Sequence, residues 1–297
     1  MVNYKKLYVD YYFIYSKKIL VFFMNKKILF VLALVLVSLM MVGSVSAGLF
    51  DFIGGENQTA NDEKTFVVGF DAEFPPYGYM DDDGNYVGFD LDLAKEVCKR
   101  NNWTFEAQPI DWDAKDAELD SGSIDCIWNG FTINGRENDY TWSEPYIDNK
   151  QVVVVKSNSG IESLDDLAGK TVETQKDSSA LAALQGDRKD LTDTFGTLTE
   201  VADYNTGFMD LESGACDAVA IDIGVAQYQI SSQDNPDDYK ILGDEISSEQ
   251  YGVGFKLGNG ALKDQVQKTL DEMFEDGTVD KIAENYSDAG VPGSLIH

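Results

Sequence analysis

One arginine, Arg136, stands alone as the only base in the stretch "WNGFTINGRENDYTWSEPYIDN", residues 128–149. A guanidinium is planar and permanently charged, and it grips a carboxylate through two parallel N–H bonds. Asp222, in "AIDIG", accepts hydrogen bonds from an ammonium. Held apart on facing walls, these two groups complement a zwitterion. The Thr132 hydroxyl and the Gly130 carbonyl add a donor and an acceptor beside the arginine. Ser178 and Ser179, in "KDSSALAAL", sit at a predicted helix start whose free N–H groups suit a carboxylate; Ser178 reads equally well as an N-cap. Phe74 and Trp112 follow predicted strands and are placed to sandwich a ligand's carbon skeleton. Plainer readings stand beside these. Arg136 pairs on the surface with Glu137 or Asp139, Asp222 caps a helix, and the two aromatics belong to the core.

Positioning these groups requires strands that alternate with helices. "TFVVGF" is a short β-branched apolar run, hence a buried strand, and "TFEAQPI", "IDCIWNG", "QVVVVK", "KTVETQ" and "CDAVAID" read alike. "FDLDLAKEVCKRNN" is an amphipathic helix, with Phe89, Leu93 and Val97 on one stripe widened by Ala94 and Cys98. "AKDAELDSG", "SSALAALQ", "NGALKDQVQKTLDEMFEDG" and "VDKIAENY" are further helices. The fold class is α/β, with largely parallel sheets. "DDDGNYVG" is a turn and not a calcium loop, because Tyr79 would occupy the first ligand place and Asp90 the last. No metal site and no cofactor is expected.

An internal echo sharpens this picture. Leu119-Asp-Ser-Gly-Ser-Ile-Asp-Cys-Ile returns 92 residues later as Leu211-Glu-Ser-Gly-Ala-Cys-Asp-Ala-Val. Each copy reads as a helix end, a glycine turn and an aspartate opening a buried strand, so the chain holds two similar halves. Five residues beyond that aspartate lie Gly130 in one copy and Asp222 in the other. Both fall at the carboxyl end of a predicted parallel strand, where open α/β sheets bind ligands.

Bulk composition narrows the function. Residues 1–47 hold six lysines and one acid, which leaves 17 basic against 51 acidic groups in the remainder. That excess of acid argues against nucleic acid, whose phosphates require Lys and Arg. Lys26 and Lys27 precede an apolar run, and Val45-Ser46-Ala47 offers a cleavage site before Gly48. The segment reads as a secretory leader with Met24 as its true start; a retained membrane anchor is the other reading. Residues 48–63 form a polar tether. No cysteine follows the leader to carry a lipid. Cys98, Cys126 and Cys216 are odd in number and widely spaced, so they suit buried apolar positions better than disulfides or zinc.

In order along the chain, "GFDAEFPPYGYMDDDGNYVGFDLDLAKEV", "WNGFTINGRENDYTWSEPYIDNKQVVVV", "SLDDLAGKTVETQKDSSA", "DAVAID" and "QYGVGFKLGNGALKDQVQKTLDEMFEDGTVDKI" resemble solute-binding proteins of family 3. These are the extracytoplasmic amino-acid receptors of ABC importers. The resemblance implies a two-lobed type II periplasmic-binding-protein fold with two hinge crossings. Lobe 1 would span 64–147 plus 251–297 and lobe 2 150–248. It implies that Arg136 binds the carboxylate and Asp222 the ammonium of a free amino acid. Thr132, Gly130, Ser179, Phe74 and Trp112 match further contacts, and Asp71 and Gln175 match positions at the ligand side chain. The implied partners are the membrane permease subunits, for a monomeric receptor outside the cytoplasm. The Gly130–Arg136 loop is one residue shorter than the commonest family spacing, and Lys176-Asp177 stands where a glycine is usual. An enzyme on the same fold is the rival, with Glu73 or Glu173 as its acid. A Ser-His-Asp hydrolase is excluded, because the sole histidine is His297. A sensor ectodomain is a third reading, and no signalling segment follows Tyr286.

Overall fold

A computed structural model describes residues 64–297, so the expected leader and tether lie outside the described residues. The strands begin with β1 (Thr65–Phe70), β2 (Glu73–Phe74), β3 (Gly78–Met80), β4 (Tyr86–Val87), β5 (Thr104–Pro109), β6 (Cys126–Ile127) and β7 (Tyr140–Trp142). They continue with β8 (Ile147–Lys156), β9 (Thr171–Gln175), β10 (Thr197–Val201), β11 (Ala218–Asp222), β12 (Tyr239–Ile241), β13 (Ser247–Tyr251) and β14 (Gly254–Lys256).

Two sheets dominate, each with helices packed on it. In lobe 1 the strand order is β5-β1-β6-β14-β7; in lobe 2 it is β10-β9-β11-β8-β12, with β13 also on β8. In each, three parallel strands meet a fourth that runs antiparallel. The expectation of largely parallel sheets therefore needs correction. Parallel pairing needs a long crossover, whereas β8 and β14 enter their sheets straight from the neighbouring lobe or crossing strand. Those crossings are β8 and β13, which pair antiparallel with Asn149 opposite Glu249 and Ile147 opposite Tyr251.

The echo in the sequence is a structural repeat. Gly122 and Gly214 end their helices at φ 79° and 81°, a left-handed conformation that glycine adopts without strain. Each cap closes with paired bonds: Gly122 N to Leu119 O (3.2 Å) and Ser123 N to Glu118 O (3.1 Å), against Gly214 N to Leu211 O (3.3 Å) and Ala215 N to Asp210 O (2.8 Å). The Asp125 carboxylate then accepts from Val67 N at 2.8 Å, and Asp217 from Thr171 N at 2.9 Å. Each aspartate thereby locks its strand in register with the parallel neighbour.

Apolar periodicity builds the core. Phe89, Leu93, Val97, Ala94 and Cys98 are all buried on the helix Phe89–Asn101. In β8, Val152 and Val154 face one core while Val153 and Val155 face another, the alternation of a doubly covered strand. All three cysteines are buried and unpaired. Asp81 spends its carboxylate on its own turn, accepting from Asp83 N and Asn85 N. Strand β6 is shorter than "IDCIWNG" suggests, because the chain leaves the sheet for the bend at Gly130, where φ is 56°. Among the described residues, no helix is long and apolar enough to cross a membrane. The repeat generates a test: Asp125→Ala and Asp217→Ala should each lower stability by about 1–3 kcal/mol, since each orphans a backbone donor. Urea unfolding midpoints check this; an unchanged midpoint for either would contradict it.

Candidate functional site

The crossing strands, the end of β11 and the loop after β6 converge between the lobes. Asp222 is the last residue of β11 and precedes the helix Ile223–Ser231, yet its side chain makes no capping bond. Its Oδ1 accepts instead from Gln151 Nε2 (2.6 Å), Asn149 Nδ2 (2.7 Å) and the Tyr251 hydroxyl (2.5 Å). Among the described residues Oδ2 receives no bond, so one carboxylate oxygen remains free to meet an ammonium. The same amides serve a second acid. Glu249 Oε1 accepts from Asn149 Nδ2 (2.7 Å), Gln151 Nε2 (2.8 Å) and the Thr132 hydroxyl (2.9 Å), while Oε2 accepts from the Ser179 hydroxyl (2.7 Å). Thr132 belongs to lobe 1 and Ser179 to lobe 2, and their hydroxyl oxygens lie 3.0 Å apart. Burial, and then the charge of Glu249, push the Asp222 carboxyl up to about 7. Near neutral pH the aspartate is therefore poised between holding a proton and meeting a cation.

Gly130 is fixed from behind. Its N–H donates to Asp90 Oδ2 at 2.6 Å, and Asp90 Oδ1 accepts from the Tyr146 hydroxyl at 2.9 Å. Asp90 is fully buried, which raises its carboxyl to about 7. A side chain at Gly130 would stand 2.8 Å from the Phe74 ring and 3.1 Å from Tyr251, so only glycine fits. Gly135 takes φ 82° in the shortened loop. Arg136 is half-buried at the lip, with its guanidinium 5.3 Å from the Phe131 ring. It donates to the Thr132 carbonyl in lobe 1 and to the Asp177 carbonyl in lobe 2, both at 3.3 Å. Neither Glu137 nor Asp139 pairs with it, so the surface ion-pair reading does not hold.

Asp71 and Gln175 meet directly: Gln175 Nε2 donates to Asp71 Oδ2 at 2.7 Å across the interface. The other oxygen, Oδ1, orders its own loop by accepting from Glu73 N at 2.8 Å. Phe74 is buried between Tyr77 and Tyr204, with ring centroids 5.8 and 5.9 Å away. Trp112 is half-buried and stands edge-on to Phe131 at 5.4 Å. It shares with Asp71 a groove of about 550 Å³ whose rim carries Glu73, Asp111, Asp113, Asp203 and Lys176. Ser178 caps the helix Ser179–Gln185 through Leu181 N at 3.1 Å, which commits its hydroxyl. Of the rival acids, Glu73 is exposed and bonded to Asn205, and Glu173 lies against Asp210 and Cys216. Neither touches Asp222.

Residues that sequence reasoning missed are Glu249, Asn149, Gln151, Tyr251 and Asp90. The first four share a pattern that only the structure displays. In the crossing strands alternate residues are buried, at 147, 149 and 151 and again at 249 and 251. Buried polar residues at a two-residue period mark a strand face turned to a polar site.

The family described as bacterial extracellular solute-binding proteins, family 3, matches residues 66–289. The chain belongs to that family. The L-cystine-binding protein TcyJ of Escherichia coli is 31% identical over 237 residues, covering 76% of this chain and 84% of that protein. A histidine-bound ABC uptake transporter substrate-binding protein from Streptococcus pneumoniae superposes with a TM-score of 0.72 at 32% identity, covering 75% of this chain and 92% of the other. An arginine-bound ancestral arginine-binding protein has a TM-score of 0.70 at 37% identity, covering 75% and 98%. Like these, the chain has the mixed α/β architecture of type II periplasmic-binding proteins.

The buried acids set the pH response of the family 3 fold here. An unfolded aspartate titrates near ~3.9, and Asp222 and Asp90 are raised to about 7. Their folded forms hold extra protons between those values, so the stability they contribute is full below pH ~4 and lost as pH rises through about 7. Ligand-free Asp222→Asn should exceed the wild type by ~1–3 kcal/mol at pH ~8, with the gap closing toward pH ~5. Urea titrations at both pH values check this; a pH-independent gap would contradict it.

Proposed function

We propose that this protein captures one free amino acid outside the cytoplasm and hands it to the permease of an ABC importer. The observation that carries the reading is the Asp222 carboxylate, held on one oxygen by three donors from both crossing strands with its other oxygen unbonded. An α-ammonium placed there relieves the cost of ionising a buried acid. Arg136, reaching both lobes from the lip, takes the α-carboxylate, aided by Thr132 and Ser179, while the Gly130 carbonyl accepts from the α-ammonium. Phe74 and Trp112 flank the carbon skeleton, and Asp71 with Gln175 meets the end of the side chain. The acidic rim around Asp71 favours a polar or cationic side chain over an acidic one. Relatives named for cystine, histidine and arginine fit this preference.

Ligand contacts are divided between lobes, so closure follows binding: only the closed arrangement satisfies both charged ends. A monomer that closes in this way presents the permease with a surface the open form lacks. No bond is made or broken in the cargo. Export by the N-terminal leader would complete the design.

A thermal-shift screen of the common amino acids against the purified protein tests the reading. A ligand at 100 times its Kd adds about 2.7 kcal/mol of stability. Arg136→Ala should abolish the response to every amino acid, and Asp71→Ala should change which one responds. Normal binding by Arg136→Ala would overturn the assignment.

A further inference from the structure

Two ion pairs cross the cleft mouth in opposite senses. Lys115, at the start of the helix Lys115–Ser121 in lobe 1, pairs with the Asp177 carboxylate of lobe 2. Lys176 of lobe 2 pairs with Asp113 of lobe 1 at 2.7 Å. Each lobe thus contributes one acid and one base within a span of three residues. The two pairs differ in setting. Lys115 is 2% exposed with its ammonium 5.1 Å from the Trp112 ring centroid, while its partner Asp177 is 52% exposed; Lys176 and Asp113 are each 42% exposed. A buried ammonium that loses its only carboxylate is costly, while an exposed pair contributes little.

Asp177 carries a further mark. Its φ is 56°, a left-handed conformation that glycine adopts freely and other residues adopt at a cost. Glycine, asparagine and aspartate are the residues that visit this backbone, and of these only aspartate brings a charge. The same residue's carbonyl accepts from Arg136, so the pair also fixes one of the two acceptors that orient the guanidinium.

We infer that Lys115 and Asp177 form an electrostatic clasp between the lobes, positioning Arg136 and setting how long captured cargo is retained. Lys176 and Asp113 are its weaker companion, exposed on both sides. Their mutual pairing raises the lysine and lowers the aspartate from their usual ranges. Lys115 and Asp177 touch each other only when the lobes meet, so the clasp favours the closed arrangement with or without cargo and resists reopening. Affinity then falls with salt mainly through the exit rate. The inference rests on the amino-acid-binding reading for its kinetic half alone.

The test combines stopped-flow binding of L-arginine with small-angle scattering of the ligand-free protein. Lys115→Met keeps the packing stem and removes the charge; it should speed arginine dissociation about tenfold and change association less than about twofold. Asp177→Gly should match that acceleration, and adding Lys115→Met to Asp177→Gly should accelerate dissociation no further, because the pair is already broken. Fully additive acceleration would show that the two residues act separately and would overturn the clasp. The exchanged pair Lys115→Asp with Asp177→Lys should recover part of the lost retention. Unchanged dissociation in both single variants would overturn the clasp. If arginine does not bind the wild type, the ligand reading fails on this probe, and scattering still decides the clasp. Raising NaCl from about 50 mM to about 1 M should then expand the wild type toward the size that Lys115→Met already has at low salt. Equal sizes for the two proteins at low salt would overturn it.

Discussion

Two buried carboxylates share one set of donors, and the rest of the architecture follows from keeping that arrangement satisfied. The side-chain amides of Asn149 and Gln151 each serve both Asp222 and Glu249. Two anions this close in a dry setting are tolerable only with every donor in place, or with a proton or cation between them. The donors come from β8, one acid comes from β13 and the other from the end of β11. Thr132 and Ser179 complete the shell from opposite lobes. In the proposed function, crossing strands that hold this charged network respond to the charge of what enters between the lobes.

The scarcity of positive charge in the chain acquires a purpose in this light. Beyond the N-terminal 47 residues acids outnumber bases threefold, yet Arg136, Lys115 and Lys176 gather at the mouth between the lobes. Lys115 and Lys176 are matched by acids across the cleft. Arg136 has only carbonyl partners among the described residues, and in the proposed function the cargo's carboxylate matches its charge. Long-range repulsion from the acidic surface fades over a Debye length of ~8 Å at physiological salt, so these local pairings govern recognition.

The repeated half was legible because its chemistry is local. A glycine that must be left-handed, an aspartate four residues from a helix end and an apolar strand leave a linear trace, and the structure turns that trace into matching caps and strand locks. Gly130, Thr132 and Asp222 could be placed from strand ends for the same reason. The antiparallel direction of β8 was not legible, since periodicity marks a buried strand without its direction, and β14 was not read as a strand. Glu249 and its amides escaped because their partners lie 98 to 100 residues away, and polar residues in a short strand read as solvent-facing. Lys115 looked like one charge on an amphipathic helix. Its burial depends on Asp177, which only tertiary structure brings near.

The central claim is that cargo replaces a proton at Asp222. Calorimetric titration of the wild type with its best-binding amino acid, in buffers of differing ionisation enthalpy at pH ~6.5, reads this directly. With the free carboxyl raised by burial and by the charge of Glu249, binding of an ammonium should release a measurable fraction of a proton per ligand, and Asp222→Asn should release none. Proton uptake, or no exchange in the wild type, would contradict the account.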